Sequence, residues 1–107
     1  MSGRLDVQWD RTGVLSVRGA DFAAYEQLML SLTVRSGGGS RVTGPGTLMQ
    51  SSGNSVQSTS TTLQADARGG FQWQATVISS GEAEVTVAVR GDHGSRVEQH
   101  LPRSRPG

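Results

Sequence analysis

Apolar and polar residues alternate along most of the chain, and turn-forming residues separate the alternating segments. The segment LMLSLTV at 28–34 has an apolar residue at every second position, and LDVQW at 5–9 repeats the pattern. The sequences RTG at 11–13 and GDHG at 91–94 interrupt it. Period-two alternation is typical of strands with one buried face. The sequence therefore predicts a protein built from β-strands.

The same alternation is clearest in FQWQATV at 71–77 and AEVTVAV at 83–89, which are separated by a short segment that contains a glycine. We predict a β-hairpin here, with the apolar faces of both strands on one side. Phe71 and Trp73 could instead form an aromatic binding platform, but the polar glutamines that alternate with them favour a core. The predicted core comprises Leu28, Leu30, Leu32, Phe71, Trp73, Val77, Val85 and Val87.

Three other segments complete the predicted order of elements. Residues 21–30 contain good helix formers, so they form either a short helix or a loop followed by a strand that begins near Gln27. The Gly/Ser-rich segment at about 36–55 is predicted to be a flexible loop between two sheets, or else a long hairpin with weak strands at 41–43 and 47–50. The polar β-formers of SVQSTSTTLQA at 55–65 favour a solvated edge strand.

About seven short strands in one chain favour an all-β, immunoglobulin-like antiparallel sandwich. The 107 residues suffice for one core, and an apolar fraction of 34% with 5% aromatics predicts a thin one. We expect a single domain over 1–101 and a C-terminal tail over 102–107.

The order of turns and strands also resembles a known family. LSVRGADFAAYEQLMLSLTV at 15–34 and the segment 63–95 are similar to the two halves of bacterial immunoglobulin-like surface repeats. The matching positions are Val17, Gly19, Phe22, Glu26, Leu28, Leu30, Leu32, Leu63, Ala65, Asp66, Gly69, Phe71, Val77, Gly81, Val85, Val87 and Gly91. Ala24 and Tyr25 stand where those repeats usually have Pro-Gly. Arg68 replaces a second acidic residue, which disfavours a calcium site.

The resemblance implies a spacer, an adhesive module or a decoration on a phage capsid or tail, since such domains are rarely enzymes. The residues themselves agree with a non-enzymatic role. There are no cysteines, and the serines lie in no nucleophile motif. The histidines at 93 and 100 are a poor metal signal. We therefore predict no catalytic residue, no metal site and no cofactor.

Charge excludes further classes of function. The net charge is +1, which does not favour nucleic-acid binding. All ten basic residues are arginine, a bias typical of a GC-rich genome. No stretch has the length of a membrane helix, and the N-terminus lacks the apolar run of a signal peptide.

The candidate contact residues are few. Trp9 lies near a terminus, Arg41 in the glycine-rich segment, and Arg103 and Arg105 in the basic tail. The tripeptide Arg-Gly-Asp at 90–92 occurs in integrin ligands, but it is also ordinary turn chemistry.

The sequence thus predicts a non-catalytic structural or protein-interaction module. The most specific expectation is a phage virion component, a capsid decoration or tail-associated protein assembled in the cytoplasm. Its partners would be other copies of itself or capsid, tail or surface proteins, and we expect an oligomer or larger assembly. The alternative is an adhesive, spacer or carbohydrate-binding domain of a bacterial surface or secreted protein.

Overall fold

The chain folds into two antiparallel β-sheets that face each other. The computed structural model describes residues 3–44, 47–52, 55–79, 83–92 and 94–103, and those residues form nine strands and no helix. The strands are β1 (Arg4–Trp9), β2 (Val14–Ala20), β3 (Gln27–Ser36), β4 (Gly39–Gly44), β5 (Thr47–Ser52), β6 (Ser55–Gln64), β7 (Phe71–Ser79), β8 (Ala83–Gly91) and β9 (Arg96–Arg103). The predicted all-β class and two-sheet, sandwich-like arrangement are confirmed, with more strands than the predicted seven.

The first sheet has five strands in the order β1-β2-β7-β4-β5, and the second has four in the order β6-β3-β8-β9. The central strand of the second sheet, β3, pairs with β6 on one side and with β8 on the other. Leu32, for example, lies between Thr59 of β6 and Val87 of β8.

The inner faces of the two sheets form the core. Alternation in β3 buries Leu28, Leu30 and Leu32 completely or almost completely, while Met29 points outward and is 50% exposed. Trp73 of β7 lies in the same core at 5% exposure, and Phe71 packs against it as a partly buried residue. Val77, Val85 and Val87 are also buried. The aromatic residues of β7 thus belong to the interior rather than to a binding platform.

The predicted hairpin of 71–77 with 83–89 is wrong. β7 pairs with β2 and β4 in the first sheet, whereas β8 pairs with β3 and β9 in the second. Alternation predicts which face of a strand is buried, and two strands facing each other across a core satisfy it as well as two neighbours do. The apolar faces of β7 and β8 meet through side-chain packing across the sandwich, not through a shared ladder.

Two ambiguous segments are resolved. No helix forms in 21–30, since a turn precedes β3, which starts at Gln27 as the strand alternative predicted. The segment 36–55 is not one loop, because β4 and β5 pair there as a hairpin from Gly39 to Ser52. The predicted tail begins later than expected, since β9 extends to Arg103, and residues 104–107 lie outside the described residues.

Candidate interaction surface

The predicted contact residues do not come together in space. Trp9 ends β1 at one edge of the first sheet, whereas Arg41 lies on β4 near the other edge of that sheet. Arg103 ends β9 in the second sheet, and Arg105 lies outside the described residues. These four residues therefore do not define a common site.

Trp9 is held by the fold. Its ring packs against the core as a partly buried residue, and its indole Nε1 donates a hydrogen bond to the Val77 carbonyl at 3.3 Å. A stacking platform for a sugar needs an open ring face. Through this packing and this hydrogen bond, Trp9 links β1 to β7.

The tripeptide at 90–92 lies at the end of β8 and in the turn that leads to β9. Arg90 and Gly91 are the last residues of β8, and Gly91 is buried. A Cβ at Gly91 would lie 1.9 Å from Oε2 of Glu26. The Asp92 amide donates to the Gln27 carbonyl at 3.1 Å. The glycine thus provides room for a buried carboxylate, while Arg90 and Asp92 on either side of it are exposed.

Glu26 is the centre of a polar network at one end of the sandwich. It is fully buried, and its Oε1 accepts hydrogen bonds from the Ala23 amide at 3.0 Å and the Ser95 hydroxyl at 3.3 Å. The Glu26 carbonyl also accepts from the Ala65 amide. Glu26 thus ties together three connections: its carboxylate bonds to 21–26 and 92–95, and its backbone carbonyl bonds to 65–70. A buried acid that saturates local donors in this way stabilises the fold.

Two aspartates close turns in the same manner. Oδ1 of Asp66 accepts from the amides of Arg68 at 2.8 Å and Gly70 at 2.9 Å, and these bonds hold the pKa of the carboxyl below its ordinary value. Oδ1 of Asp10 accepts from the Thr12 hydroxyl and the Val14 amide, which lowers its pKa as well. Both carboxylates serve the backbone of their turns.

Among the described residues, no group of three or more histidines and acidic side chains is placed to hold a metal ion. His100 is exposed on β9, 2.9 Å from the Thr86 hydroxyl and 4.0 Å from a Glu84 carboxylate oxygen. His93 lies outside the described residues.

Tyr25 is the one aromatic side chain in the described ranges that is largely exposed, at 61%. It occupies a tight turn in which the Glu26 amide donates to the Ala23 carbonyl at 3.1 Å. Its φ is +59°, a left-handed conformation that glycine adopts at little cost. The turn thus presents an aromatic ring at a position that suits glycine, at a cost in backbone energy.

The two sides of the sandwich differ in charge. One side, which we call the charged side, is formed by β1 and β9, and Gln99 of β9 donates to the Leu5 carbonyl of β1 at 3.4 Å. These strands carry Arg4 and Asp6 on β1 and Arg96, Glu98, His100 and Arg103 on β9. Charged residues on edge strands discourage pairing with other chains.

The opposite side, which we call the neutral side, is formed by β5 and β6. Neither TLMQSS nor SVQSTSTTLQ contains a charged residue or a proline. Gln57 bridges the two strands, since its Nε2 donates to the Gln50 carbonyl at 2.9 Å. β6 is ten residues long, and among the described strands it pairs only with β3, as the sequence predicted for an edge strand. A long, uncharged edge is a ready template for strand addition.

Tyr25 lies at one end of this neutral side. The Gln64 side chain, at the last residue of β6, donates to the Tyr25 carbonyl at 3.2 Å. Val56, near the first residue of β6, is 61% exposed. The neutral side therefore has an exposed apolar residue near each end of β6, with serines and threonines between them. Sequence reasoning identified the edge strand but not Tyr25, although the missing Pro-Gly was a signal for it.

Comparisons with known proteins add no identity. No family model matches the chain, and no curated protein gives a significant match. A crystal structure of a Bordetella pertussis structural-genomics target named as an ApaA protein aligns at 12% identity and a TM-score of 0.41, over 98% of this chain and 91% of that one. An X-ray structure of a second structural-genomics target aligns at 11% identity and 0.44, over 99% and 88%. Among the described residues no helix is long and apolar enough to cross a membrane.

Proposed function

We propose that the protein is a non-catalytic structural or interaction module that joins a protein assembly through the neutral side, with β6 as the strand to which a partner adds. The observation that carries this proposal is the ten-residue edge strand without a charged residue, in a molecule whose opposite edges carry charges of both signs. Strand addition satisfies the edge amides and carbonyls of β6 by main-chain hydrogen bonds, so it needs little sequence information in the partner.

The finer fold assignment belongs to the same proposal. In immunoglobulin-like domains the strands A, B and E share one sheet, and C, F and G share the other. The neighbours β1-β2-β7 and β3-β8-β9 follow that arrangement and support an immunoglobulin-like topology. β4 lies beside β7, in the place that strand D takes beside E, and its hairpin partner β5 extends the sheet further.

The most specific assembly we propose is a phage virion, in which the protein decorates the capsid or is associated with the tail. Such a component must bind an assembled surface while remaining soluble before assembly, and one neutral edge on an otherwise charged small domain suits both demands. A bacterial surface or secreted module is the alternative. Its carbohydrate-binding form is the less favoured, because Trp9 is held against the core.

The test is gradient sedimentation of extracts from cells that carry the gene and form the assembly. We expect the wild-type chain to sediment with particles, and Ser60→Lys, on the outer face of β6, to remain near the top of the gradient. The matched control is Gln72→Lys, on the exposed face of the five-stranded sheet, which should sediment like wild type. Sedimentation with cell envelopes would favour the surface module. If the wild-type chain were found only as free protein, both the virion component and the surface module would be contradicted.

A further inference from the structure

We propose that the neutral side binds a second copy of this chain, with two β6 strands pairing antiparallel about a two-fold axis at Ser60. The result is a continuous sheet of two four-stranded halves. This inference rests on the proposed function, because it names the partner of the same edge, and it is tested separately from it.

The geometry of β6 selects the register. Even-numbered residues from Val56 to Gln64 point outward, and odd-numbered residues face the core side. Antiparallel partners that lie directly opposite share a face. A two-fold axis perpendicular to the sheet therefore passes beside a residue and pairs even with even positions. With Ser60 on the axis, residues 56–64 of one copy lie opposite residues 64–56 of the other.

The side chains that meet in this register are complementary. On the outer face Ser60 meets its own copy and Ser58 meets Thr62, which gives hydroxyl pairs of the kind that stabilise antiparallel strands. On the inner face Thr59 meets Thr61. No charge is brought opposite a like charge, whereas pairing of β9 with itself would bring together arginines, Glu98 and His100.

The exposed apolar residues are also brought to the same ends of the paired strands. Val56 of one copy lies opposite Gln64 of the other, whose side chain holds the carbonyl of Tyr25. Both Val56 and Tyr25 are 61% exposed in the isolated chain. The two-fold axis places this pair at both ends of the interface, which gives a reason for an aromatic ring at a position that suits glycine. Because each copy has one β6, the pairing closes as a dimer.

The test uses charge at the axis. Sedimentation velocity of the purified wild-type chain over a range of concentrations should show a species of twice the 11.3 kDa chain mass. Ser60→Lys and Ser60→Glu each place like charges on residues whose Cα atoms lie about 5 Å apart in the dimer, and each should weaken association by about 10- to 100-fold. An equimolar mixture of the two variants should restore a dimer, because opposite charges then face each other. Gln72→Lys and Gln72→Glu, alone or mixed, should behave like wild type.

A second measurement reads the register without relying on affinity. The chain has no cysteine, so Ser60→Cys introduces a single thiol. Residues directly opposite in an antiparallel pair are within disulfide range, and mild oxidation should link the wild-type-like dimer covalently. Gln72→Cys should stay unlinked at the same concentration.

The outcomes separate the two proposals. A wild-type chain that is monomeric at every concentration overturns the proposal that the partner is a second copy. A dimer that neither Ser60→Lys nor Ser60→Glu weakens overturns it as well. If such a monomer still sediments with particles and Ser60→Lys releases it, the neutral side serves a different protein and the proposed function stands. A dimer with the expected charge behaviour in a chain that joins no assembly supports the pairing and overturns the proposed function.

Discussion

The two strands that flank β3 have the same geometry but different roles. β8 and β6 both pair antiparallel with β3 over nearly its whole length. The inward positions of β8 are Ala83, Val85, Val87 and Val89, all buried, whereas those of β6 include Gln57, Thr59 and Thr61, all partly exposed. Backbone pairing alone therefore does not decide what a strand contributes. β8 contributes buried apolar side chains to the core. β6 contributes less buried apolar area and lies at the edge of the sheet.

The largest effect should come from the core that β8 faces. Trp73→Ala is expected to lower the free energy of unfolding by about 3–5 kcal/mol, because it removes the largest side chain of the interior. Part of the loss is offset, since the indole Nε1 of Trp73 is buried with no hydrogen-bond partner among the described residues. Urea unfolding measures the change. Gln74→Ala, on the outer face of the same strand, should stay within about 0.5 kcal/mol of wild type. If Trp73→Ala left the free energy of unfolding unchanged, the ring would be exposed at the surface and not part of the core.

A matched pair of substitutions around Leu32 sharpens the comparison of β8 with β6. Val87→Thr buries a hydroxyl in the core and should cost about 1–3 kcal/mol. Thr59→Val, on the other side of Leu32, adds apolar contact at a half-buried site and should gain clearly less than Val87→Thr costs, under about 1 kcal/mol. Chemical denaturation of both variants checks this. Equal and opposite changes would show that the two flanks of β3 are equally buried in solution, contrary to the structure.

Substitution of Tyr25 should change stability less, and here the change should be a gain. Tyr25→Gly relieves a left-handed backbone conformation but adds freedom to the unfolded chain, so we expect a net gain of about 0.5–1 kcal/mol. The same substitution should weaken dimer formation, because the exposed ring is lost from the end of the neutral side. Tyr25→Ala serves as the control, since it removes the ring and leaves the strained backbone. A stabilised glycine variant that still associates like wild type would show that the ring has no role in pairing.

The smallest effect concerns the turn that follows β6. The pKa of Asp66 is lower in the folded chain than its ordinary value of 3.8, so folding favours the ionised carboxylate. Its contribution to stability is present above that value and is lost as the pH falls through the folded pKa. The melting temperatures of wild type and Asp66→Ala should therefore differ most near neutral pH and converge as the pH falls below 3.8. Parallel curves would mean that the carboxylate does not hold the turn.

Sequence reasoning predicted what each residue faces better than what it neighbours. The burial of Leu28, Leu30, Leu32 and Trp73 follows from alternation, and so does the exposed, polar character of β6. The partners of β7 did not follow, because alternation contains no information about which sheet a strand joins. The 36–55 segment was hardest, since its glycines and serines have weak strand propensity and β4 is held mainly by its pairing with β7 and β5.

The candidate surface shows the same division. The sequence of 55–64 was enough to predict an uncharged edge strand. The position of Tyr25 beside Gln64 was not predictable in this way, because it depends on two connections that meet only in the folded chain. The arginines predicted to make contacts, Arg41 and Arg103, lie in different sheets. Composition gives the number of charges, but only the fold decides which of them share a surface.

The crossing of strands between the sheets also shapes how the chain folds. The connections from β2 to β3, β3 to β4, β5 to β6, β6 to β7 and β7 to β8 all pass from one sheet to the other. Neither sheet is thus encoded by a contiguous piece of sequence, and strands distant along the chain must meet before either is complete. Such a topology slows folding and makes it cooperative. No fragment that ends before β8 contains the partners needed to cover β3, so the newly made chain must reach its last strands before its edges are set.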